Sequence, residues 1–404
     1  MFSSRVPADL TPNTLAGAVA VHRATGRTLF DLTATNPTTA GIVYPESILA
    51  PLADGAGLEY RPEPLGLRSA REAVSRDYAR LGTGVAADRI VLTSSTSEAY
   101  SLLFKLLCDP GDEVLIPAPS YPLFEHLSAL DAVRASPYRL EYHGRWLIDE
   151  DSVDAAWTDR VRAVLAVSPN NPTGSRLSSA ELEMVTTRCA EREAALIIDE
   201  VFRDYPLSTP DPFSTPDLKV GPTVTPDLKV GPTGMHAGAL AFRLGGLSKS
   251  AGLPQVKLGW IGVDGPDDLA RSALARLEVI CDTYLSVSTP VQAAAGTLIE
   301  RGAVVRSAIL ARVRDNHAAL TDILAHAPSI ELLHADAGWA AVLRIPSTRS
   351  EEAVVLDLLQ RDSVLVHPGY FFDFAHEAFL IVSLLPPVDV FREGVGRLVR
   401  NIHG

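Results

Sequence analysis

The sequence predicts an α/β fold in which a large, mostly parallel sheet domain is joined to a smaller α+β domain. A chain of 404 residues is long enough for both. Between residues 89 and 263, short apolar runs alternate with helical patterns, which is the element order of a doubly wound sheet. The runs are almost continuously hydrophobic, as expected of strands buried on both faces.

The elements of the large sheet follow from these runs. Strands are predicted at 89–93, 113–117, 161–167, 194–199, 239–244 and 258–263. Helices are predicted at 97–107 and 178–191, and an apolar stripe from Leu67 to Leu81 predicts another helix upstream.

The C-terminal part has a different pattern. Long helical patterns fill 264–325, and strand-like stretches follow at 338–345, 363–366 and 378–384, before a closing helix at 388–402. We therefore expect three segments: 1–50 as the N-terminal part of the small domain, 51–300 as the large domain, and 301–404 as the C-terminal part of the small domain.

Composition excludes several classes of protein. Apolar residues make up 47% and charged residues 21% of the chain, which is typical of a globular protein with a sizeable core. The formal net charge of −13 disfavours a nucleic-acid partner. Neither a secretory signal pattern nor an apolar run long enough for a membrane span is present, so we expect a cytoplasmic protein with no membrane partner.

The three cysteines are widely separated. Cys108, Cys189 and Cys281 each lie in an apolar setting, without a CxxC pair or a Cys/His cluster. We expect them to be buried and reduced, and we expect no metal site.

One segment is duplicated. TPDLKVGPT occurs at 215–223 and again at 225–233. Two short copies are too few for a solenoid, so the pattern favours a tandem duplication within an exposed loop. A loop that binds a ligand or a partner is the alternative.

Polar residues follow the predicted strands at the points where those strands end. The set comprises the hydroxyl run 93–97, Tyr121, Asn171, Asp199 and Lys249. Taken singly, the hydroxyls could be simple helix caps, and so could Asp199. Because open α/β sheets bind ligands at the carboxyl ends of their strands, the whole set is what a flat, phosphorylated, nitrogen-containing aldehyde requires.

Two lysines stand out in GGLSKSAGLPQVKLGW, residues 245–260. Lys249 and Lys257 lie among glycines and apolar residues, which predicts that both are buried. A lysine that acts as a nucleophile must be partly neutral near pH 7, and burial beside another cation lowers its pKa. Lys249 is the candidate nucleophile, and Lys257 is the candidate neighbouring cation; the alternative for Lys257 is a surface lysine that precedes a strand.

Three motifs carry a resemblance to a known family. Asn171-Pro172-Thr173-Gly174, Asp199-Glu200-x-Phe202 and Ser248-Lys249 occur in the order and at the spacing of fold-type I pyridoxal-phosphate (PLP) enzymes of the class I/II aminotransferase family. The resemblance extends over nearly the whole chain, from Asp31 to the C-terminal helix. It implies the aspartate aminotransferase-like fold and PLP as the cofactor.

The resemblance implies a role for each residue around the ring of PLP. Lys249 would form the internal aldimine and carry protons. Asp199 would pair with the protonated pyridine nitrogen and maintain the ring as an electron sink. Asn171 would donate a hydrogen bond to the phenolic oxygen, and Tyr121 would stack on the ring.

The resemblance also implies a phosphate site. Thr96, Ser97 and Ser248 would bind the phosphate, and Lys257 occupies the position of the usual arginine, with charge but without a bidentate fork. Tyr60 resembles the family tyrosine that reaches the phosphate of the neighbouring subunit, which implies a homodimer.

Other positions depart from the usual family pattern. Gly246 replaces a common serine, and Phe202 replaces a tyrosine that contacts the cofactor oxygen. Near the C-terminus, aligning Ser383 with the family's Arg-x-Ser places Ile381 where an arginine usually binds the substrate α-carboxylate. Arg344 could substitute for that arginine or could mark the exposed end of a strand.

We therefore expect a PLP-dependent aminotransferase that moves an amino group between an amino acid or amine and a 2-oxo acid. Because the arginine is missing, the alternative function is a PLP-dependent decarboxylase, lyase or oxidase that acts on an amino acid in specialised metabolism. One fold hosts all of these reactions. A PLP-binding transcription regulator is disfavoured because no basic N-terminal module precedes the pattern.

Overall fold

A computed structural model of the chain describes residues 2–208 and 238–403. The duplicated TPDLKVGPT segment lies outside the described residues, so the loop prediction stays a prediction. Within the described part the chain forms an eight-stranded sheet, a four-stranded sheet and a two-stranded pair, surrounded by helices.

The helices, in chain order, have the following bounds. They are α1 (Thr14–Ala24), α2 (Arg68–Arg80), α3 (Thr96–Leu107), α4 (Leu123–Leu130), α5 (Glu150–Ala156), α6 (Ser179–Glu191), α7 (Leu247–Ser250), α8 (Asp267–Tyr284), α9 (Thr289–Leu324), α10 (Glu351–Asp357) and α11 (Val388–His403). Among the described residues, no helix combines the length and the apolar character that crossing a bilayer requires.

The strands are shorter and fall into three sheets. They are β1 (Phe30–Asp31), β2 (Ile90–Thr93), β3 (Glu113–Ala118), β4 (Arg134–Tyr142), β5 (Trp146–Ile148), β6 (Val161–Val167), β7 (Ala195–Asp199), β8 (Ala241–Gly246), β9 (Gly259–Asp264), β10 (Glu331–Leu332), β11 (Ala340–Arg344), β12 (Val364–Leu365), β13 (His367–Pro368) and β14 (Phe379–Ser383).

The large sheet has the order β2-β9-β8-β7-β6-β3-β4-β5. Each neighbouring pair from β8 to β4 in this order is parallel, and β5 is antiparallel to β4. β9 is antiparallel to both β2 and β8. The start of β9 therefore lies at the edge where β2, β3, β6, β7 and β8 end, and this edge carries the site. The predicted α/β class with a mostly parallel sheet is confirmed.

The N-terminal segment is hydrogen-bonded to the C-terminal part. β1 pairs in parallel with β12, the Leu32 amide donates to the Leu365 carbonyl at 2.9 Å, and the Ser383 amide donates to the Leu32 carbonyl at 2.7 Å. The small antiparallel sheet has the order β10-β11-β14-β13. The three-segment division stays a prediction, and α9 runs without a break through its boundary at residue 300.

Helix α9 is 36 residues long and contacts two distant parts of the molecule. The Arg306 guanidinium donates to the carbonyl of Ser250, the last residue of α7, at 3.0 Å. Farther along, the Asn316 amide donates to the carbonyls of Leu384 and Pro386, directly after β14, at 2.9 and 2.8 Å. One rigid element therefore supports both the short helix that carries Lys249 and the end of the small sheet.

All three cysteines are free thiols. Cys189 and Cys281 are buried, as predicted, but Cys108 is only partly buried. The prediction of burial is wrong for Cys108 because it follows the last residue of α3, where the chain turns toward the surface.

Candidate active site

A cavity of about 340 Å³ opens at the carboxyl edge of the large sheet, between that sheet and the small one. The structure brings all of the predicted site residues except Tyr60 to its wall. They are Thr96, Ser97, Tyr121, Asn171, Asp199, Phe202, Ser248, Lys249 and Lys257. The opposite wall comes from the C-terminal part of the chain and includes Trp339, His367, Phe372 and Ile381.

Lys249 lies in α7, directly after β8, with its side chain half-buried against aromatic rings. Its Nζ is 4.7 Å from the centroid of the Trp339 ring and 5.4 Å from that of Phe202. Burial lowers the pKa of the Lys249 ammonium from 10.5 to about 8, and the charge of Asp199 opposes part of that shift. Burial, and not the expected charge of Lys257, is therefore the cause of the lowered pKa.

Tight packing fixes the backbone around Lys249. A Cβ on Gly245 would lie 2.5 Å from Nε1 of the Trp260 ring, so only glycine fits where β8 meets this indole. The Tyr205 hydroxyl donates a hydrogen bond to the Lys249 carbonyl. Sequence reasoning did not identify either contact, because both partners come from other elements.

Lys257 is exposed, so the prediction that both lysines are buried is wrong for this one. Its backbone is left-handed, with φ and ψ both at 60°. Residues other than glycine rarely adopt this conformation, and it tends to occur at functional sites. Because β9 is antiparallel to its neighbours, Lys257 stands at the cavity edge even though it precedes its strand.

The amino end of α3 faces the cavity. Ser95 caps the helix by accepting from the Glu98 amide at 3.1 Å, and the Glu98 carboxylate accepts from the Ser94 amide at 2.6 Å. Thr96 and Ser97 are the first two helical residues, and their N–H groups have no acceptor within the helix. Capping therefore accounts for Ser95, while Thr96 and Ser97 retain donors for an anion.

Gly259 brings Lys257 close to this helix end. A Cβ on Gly259 would lie 2.9 Å from the backbone carbonyl carbon of Ser95 and 2.9 Å from Oγ1 of Thr93. The start of β9 can approach α3 this closely only because residue 259 has no side chain. The lysine at 257 and the helical N–H groups consequently border the same end of the cavity.

Asp199 ends β7 with its side chain almost fully buried. Burial raises the pKa of this carboxyl, while hydrogen bonds from the Tyr100 hydroxyl and the Val201 amide lower it. The Tyr100 hydroxyl donates to Oδ2 at 2.7 Å, and the Val201 amide donates to Oδ1 at 3.0 Å. A buried carboxylate held in this way on a cavity wall favours a cationic ligand.

Tyr100 is a site residue that the sequence analysis missed. It follows Thr96 by four positions in α3, so both lie on the same helical face. That spacing was a usable signal once the amino end of the helix had been assigned to the site.

The two adjacent asparagines have different surroundings. The amide of Asn170 is buried, donates to the Pro119 carbonyl at 3.0 Å and accepts from the Ser120 hydroxyl at 2.9 Å. Asn171 is half-buried and lines the cavity. Asn170 therefore holds two loops together, and Asn171 is the one placed to meet a ligand.

Aromatic rings line much of the remaining wall. Tyr121 is 45% exposed at the cavity. Phe202 is buried and meets Trp339 edge-on at 5.4 Å between ring centroids, and Tyr205 meets the same indole at 5.1 Å. Trp339 was missed in the sequence because it precedes β11 in the C-terminal part, far along the chain from the motifs.

Tyr60 is not brought to this cavity. It is 71% exposed and lines a separate pocket with Tyr284. The sequence analysis assigned Tyr60 to the site of a neighbouring subunit, which a single chain does not test, so the assignment stays a prediction.

The small-sheet wall holds the position expected for the carboxylate-binding arginine. Ile381 is 2% exposed and lines the cavity. Arg344 does not substitute for the missing arginine: it ends β11 opposite Phe379, is half-exposed, and forms an ion pair with Glu331. It marks the exposed end of a strand. Among the described residues that line the cavity there is no arginine.

A search of family sequence models supplies the deciding observation. The model described as "Aminotransferase class I and II" matches residues 42–392. The chain belongs to this family. The family implies dependence on PLP and substrates that are amino acids and 2-oxo acids.

Relatives agree with this membership. The aminotransferase is 24% identical over 387 residues to a glutamate–pyruvate aminotransferase of Haemophilus influenzae, with 93% of this chain and 91% of the relative covered. It is 27% identical over 349 residues to an arginine–pyruvate transaminase of Pseudomonas aeruginosa, with 85% and 82% covered. The predicted aminotransferase activity is confirmed, whereas the decarboxylase, lyase and oxidase alternative gains no support.

Solved structures confirm the predicted aspartate aminotransferase-like fold of this aminotransferase. An aminotransferase from Escherichia coli superposes with a TM-score of 0.82 at 23% identity, covering 100% of this chain and 98% of that one. A double mutant of aspartate aminotransferase from Thermus thermophilus gives a TM-score of 0.80 at 22% identity, with 99% of each chain covered.

One departure of this aminotransferase from the family pattern has a steric explanation. A Cβ on Gly246 would lie 3.1 Å from the Leu258 carbonyl oxygen and 3.2 Å from the Gly259 Cα. Serine at 246 would therefore push the start of β9 outward by a few tenths of an ångström. Glycine at this position keeps β8 and β9 close, but it lacks the hydroxyl that a serine would place there.

Proposed function

We propose that this aminotransferase binds PLP in the cavity at the carboxyl edge of the large sheet, with Lys249 as the attachment lysine. The supporting observation is that a lysine of lowered pKa and a buried carboxylate, Asp199, line the same cavity. PLP supplies the aldehyde and the electron sink that transamination requires.

The residues present fit the ring of PLP. Asp199 would pair with the protonated ring nitrogen, since a buried carboxylate is stabilised by a cation. The Tyr100 hydroxyl would hold Asp199 in its ionised form through the hydrogen bond at 2.7 Å. Asn171 would donate to the ring oxygen, and Tyr121 would cover one face of the ring. Phe202 would contribute a ring edge but no hydroxyl.

The residues at the other end of the cavity fit the phosphate. The free N–H groups of Thr96 and Ser97 and the hydroxyl of Ser248 would donate to it. Lys257 would supply the counter-charge where relatives of this family have arginine.

Lys249 would also move the proton between the substrate carbon and the cofactor. At pH 7, a group with a pKa of about 8 is neutral in about one tenth of the molecules, against less than one thousandth for an ordinary lysine. A pKa this close to the working pH suits a group that must act first as a base and then as an acid.

We further propose that the enzyme is a homodimer in which Tyr60 reaches the partner's phosphate. Tyr60 and Leu58 are 71% and 91% exposed in the single chain, which is unusual for side chains of this kind. A cytoplasmic location, expected from the sequence, also stays a prediction.

The attachment lysine is tested by reducing the PLP-loaded enzyme with borohydride and locating the adduct by peptide mass spectrometry. The adduct should lie on Lys249, and Lys249→Ala should abolish it. Lys257→Ala is the matched control: it should keep the adduct while weakening PLP binding. Loss of the adduct in Lys257→Ala alone would overturn the assignment.

The reaction type is tested by adding single amino acids and amines to the loaded enzyme. Transamination converts the cofactor to pyridoxamine phosphate, which is measured by its absorbance and by mass. Release of carbon dioxide, ammonia or peroxide without that conversion would instead support the decarboxylase, lyase or oxidase.

A further inference from the structure

The small-sheet wall of the cavity is formed by strands with a defined register. Ile381 of β14 lies opposite Val342 of β11 on one side and opposite His367 of β13 on the other. Directly opposed residues of antiparallel strands project from the same face of a sheet. His367 therefore lies beside Ile381 on the face that carries both residues to the cavity.

The charges at the cavity are few. Tyrosines aside, the ionisable residues on the described wall are Lys249, Lys257, Asp199 and His367. The proposed function assigns the first three to the cofactor. His367 is the remaining ionisable group, and it stands beside the residue that replaces the usual arginine.

Two other polar groups lie on this part of the wall: the Ser383 hydroxyl, and the Trp339 indole Nε1, which is buried and has no hydrogen-bond partner among the described residues. The Ser383 hydroxyl donates to the Ala34 carbonyl at 2.6 Å. Its neighbours Trp339, Phe372 and Ile381 present mainly apolar surface. A substrate carboxylate placed here would have no donor among these side chains comparable to an arginine.

His367 has hydrogen-bonding capacity to spare. Its Nδ1 is buried and has no partner among the described residues. The ring lies 5.9 Å from the Phe371 ring and 5.8 Å from the Phe372 ring, between centroids, so its orientation is restricted. Nδ1 itself has almost no surface exposed to the cavity, so a ligand there would meet the other ring nitrogen, Nε2.

We propose that His367 receives the substrate α-carboxylate in place of arginine, and that the enzyme consequently accepts primary amines with apolar substituents as well as amino acids. This inference rests on the proposed function. Burial lowers the pKa of the imidazole, so the free enzyme presents a neutral ring with one N–H donor. Arginine would present two parallel donors and a full charge.

The single donor limits how well the carboxylate is recognised. One hydrogen bond to a charged group corresponds to a factor of about 10 to 150 in affinity. The enzyme should therefore prefer an amino acid over the amine that lacks its carboxylate by no more than about that factor. The apolar neighbours should favour substrates with aromatic or aliphatic side chains.

The test uses the PLP-loaded enzyme and a matched pair of substrates, L-phenylalanine and 2-phenylethylamine. For each, kcat/KM of the conversion to pyridoxamine phosphate is measured by absorbance. In His367→Phe the ratio of kcat/KM for phenylalanine to kcat/KM for the amine should fall to about one. His367→Gln, which keeps an N–H donor, should retain part of the preference.

A binding measurement gives a second readout that does not depend on turnover. Calorimetry with 3-phenylpropionate and 3-phenylpropan-1-ol compares a carboxylate with a neutral analogue of similar shape. His367→Phe should weaken binding of the carboxylate by about 10-fold or more and leave the alcohol unaffected. Ile381→Arg should strengthen binding of the carboxylate.

His22→Phe is the matched control, because His22 is also buried and one of its ring nitrogens has no partner in the described part of the chain, but it lies in α1, away from the cavity. It should leave unchanged both the ratio of kcat/KM for phenylalanine to the amine and the ratio of affinities for the carboxylate and the alcohol. An unaltered ratio in His367→Phe, or an equal loss for carboxylate and neutral compounds, would overturn the proposal.

If the proposed function itself is wrong, these experiments give a different set of results. In that case neither substrate would convert the cofactor in the unmutated enzyme, or the borohydride adduct would not lie on Lys249. The calorimetric comparison would still decide whether His367 binds a carboxylate.

Discussion

The hydrogen bond between Tyr100 and Asp199 gives a quantitative prediction for Tyr100→Phe. The hydroxyl donates to Oδ2 of the carboxylate at 2.7 Å, and both side chains are buried. A hydrogen bond to a charged group contributes about 1.5–3 kcal/mol, and one pKa unit corresponds to about 1.4 kcal/mol. Removing the hydroxyl should therefore raise the pKa of Asp199 by about one to two units.

The direction of the effect on cofactor binding follows from this shift. Asp199 must be ionised to pair with a protonated ring nitrogen, so PLP binding weakens as the pH falls through the pKa of Asp199. In Tyr100→Phe the loss of PLP binding at low pH, called the acid limb of the binding curve, should move to higher pH by about one to two units. The dissociation constant of PLP, measured by fluorescence titration between pH 5 and 8, reports the position of the limb.

Tyr138→Phe is the control for this experiment. The Tyr138 hydroxyl is equally buried and donates to the Leu165 carbonyl at 3.0 Å, away from the cavity. Both variants should lose some stability, but only Tyr100→Phe should shift the acid limb. If the two variants and the unmutated enzyme lose PLP at the same pH, then Tyr100 does not hold Asp199 ionised.

Two further predictions concern the lysine and the glycine that shapes the phosphate end. Because the pKa of Lys249 is lowered to about 8, the rate at which the apoenzyme reacts with PLP should rise with pH and level off above about 8, in stopped-flow absorbance. A rise that continues to pH 10.5 would contradict the assigned burial. Gly259→Ala should cost about 1–3 kcal/mol of stability, measured by denaturant unfolding, and should weaken PLP binding, since its Cβ would crowd Ser95. Gly262→Ala, whose nearest contact is at 3.4 Å, should do neither, and equal effects would refute the steric argument.

The sequence was most informative where strands are buried on both faces. The run at 161–167 matches β6 at both ends, and the other predicted sheet strands differ by one or two residues at their ends. Candidate site residues at the ends of such strands, including Asp199 and Lys249, could therefore be placed at one edge of the sheet from the sequence alone.

Elements with mixed polarity were not predicted. β4 carries Pro137, and its residues range from buried to exposed, so it lacks the continuous apolar run of its neighbours. The helices α4 and α5 are short, with eight and seven residues, and give a weak periodic signal. The direction of β9 could not be predicted either, because a strand buried on both faces has the same hydrophobic pattern whichever way it runs.

The missed site residues share a different cause. Trp339 and His367 reach the cavity from the C-terminal sheet, and their positions depend on how that sheet packs against the large one. No local pattern encodes that packing. Tyr100 differs, since the helical spacing from Thr96 was visible in the sequence.

Helix α9 is hydrogen-bonded to elements next to both walls of the cavity. Arg306 supports the end of α7, which carries Lys249, and Asn316 supports the chain that leaves the small sheet after Ser383. These two attachment points are ten residues apart, about 15 Å along one rigid rod. The distance between Lys249 and the small-sheet wall is therefore coupled to the position of a single helix, and a change in the tilt of α9 would alter the space in the cavity without altering any residue that lines it.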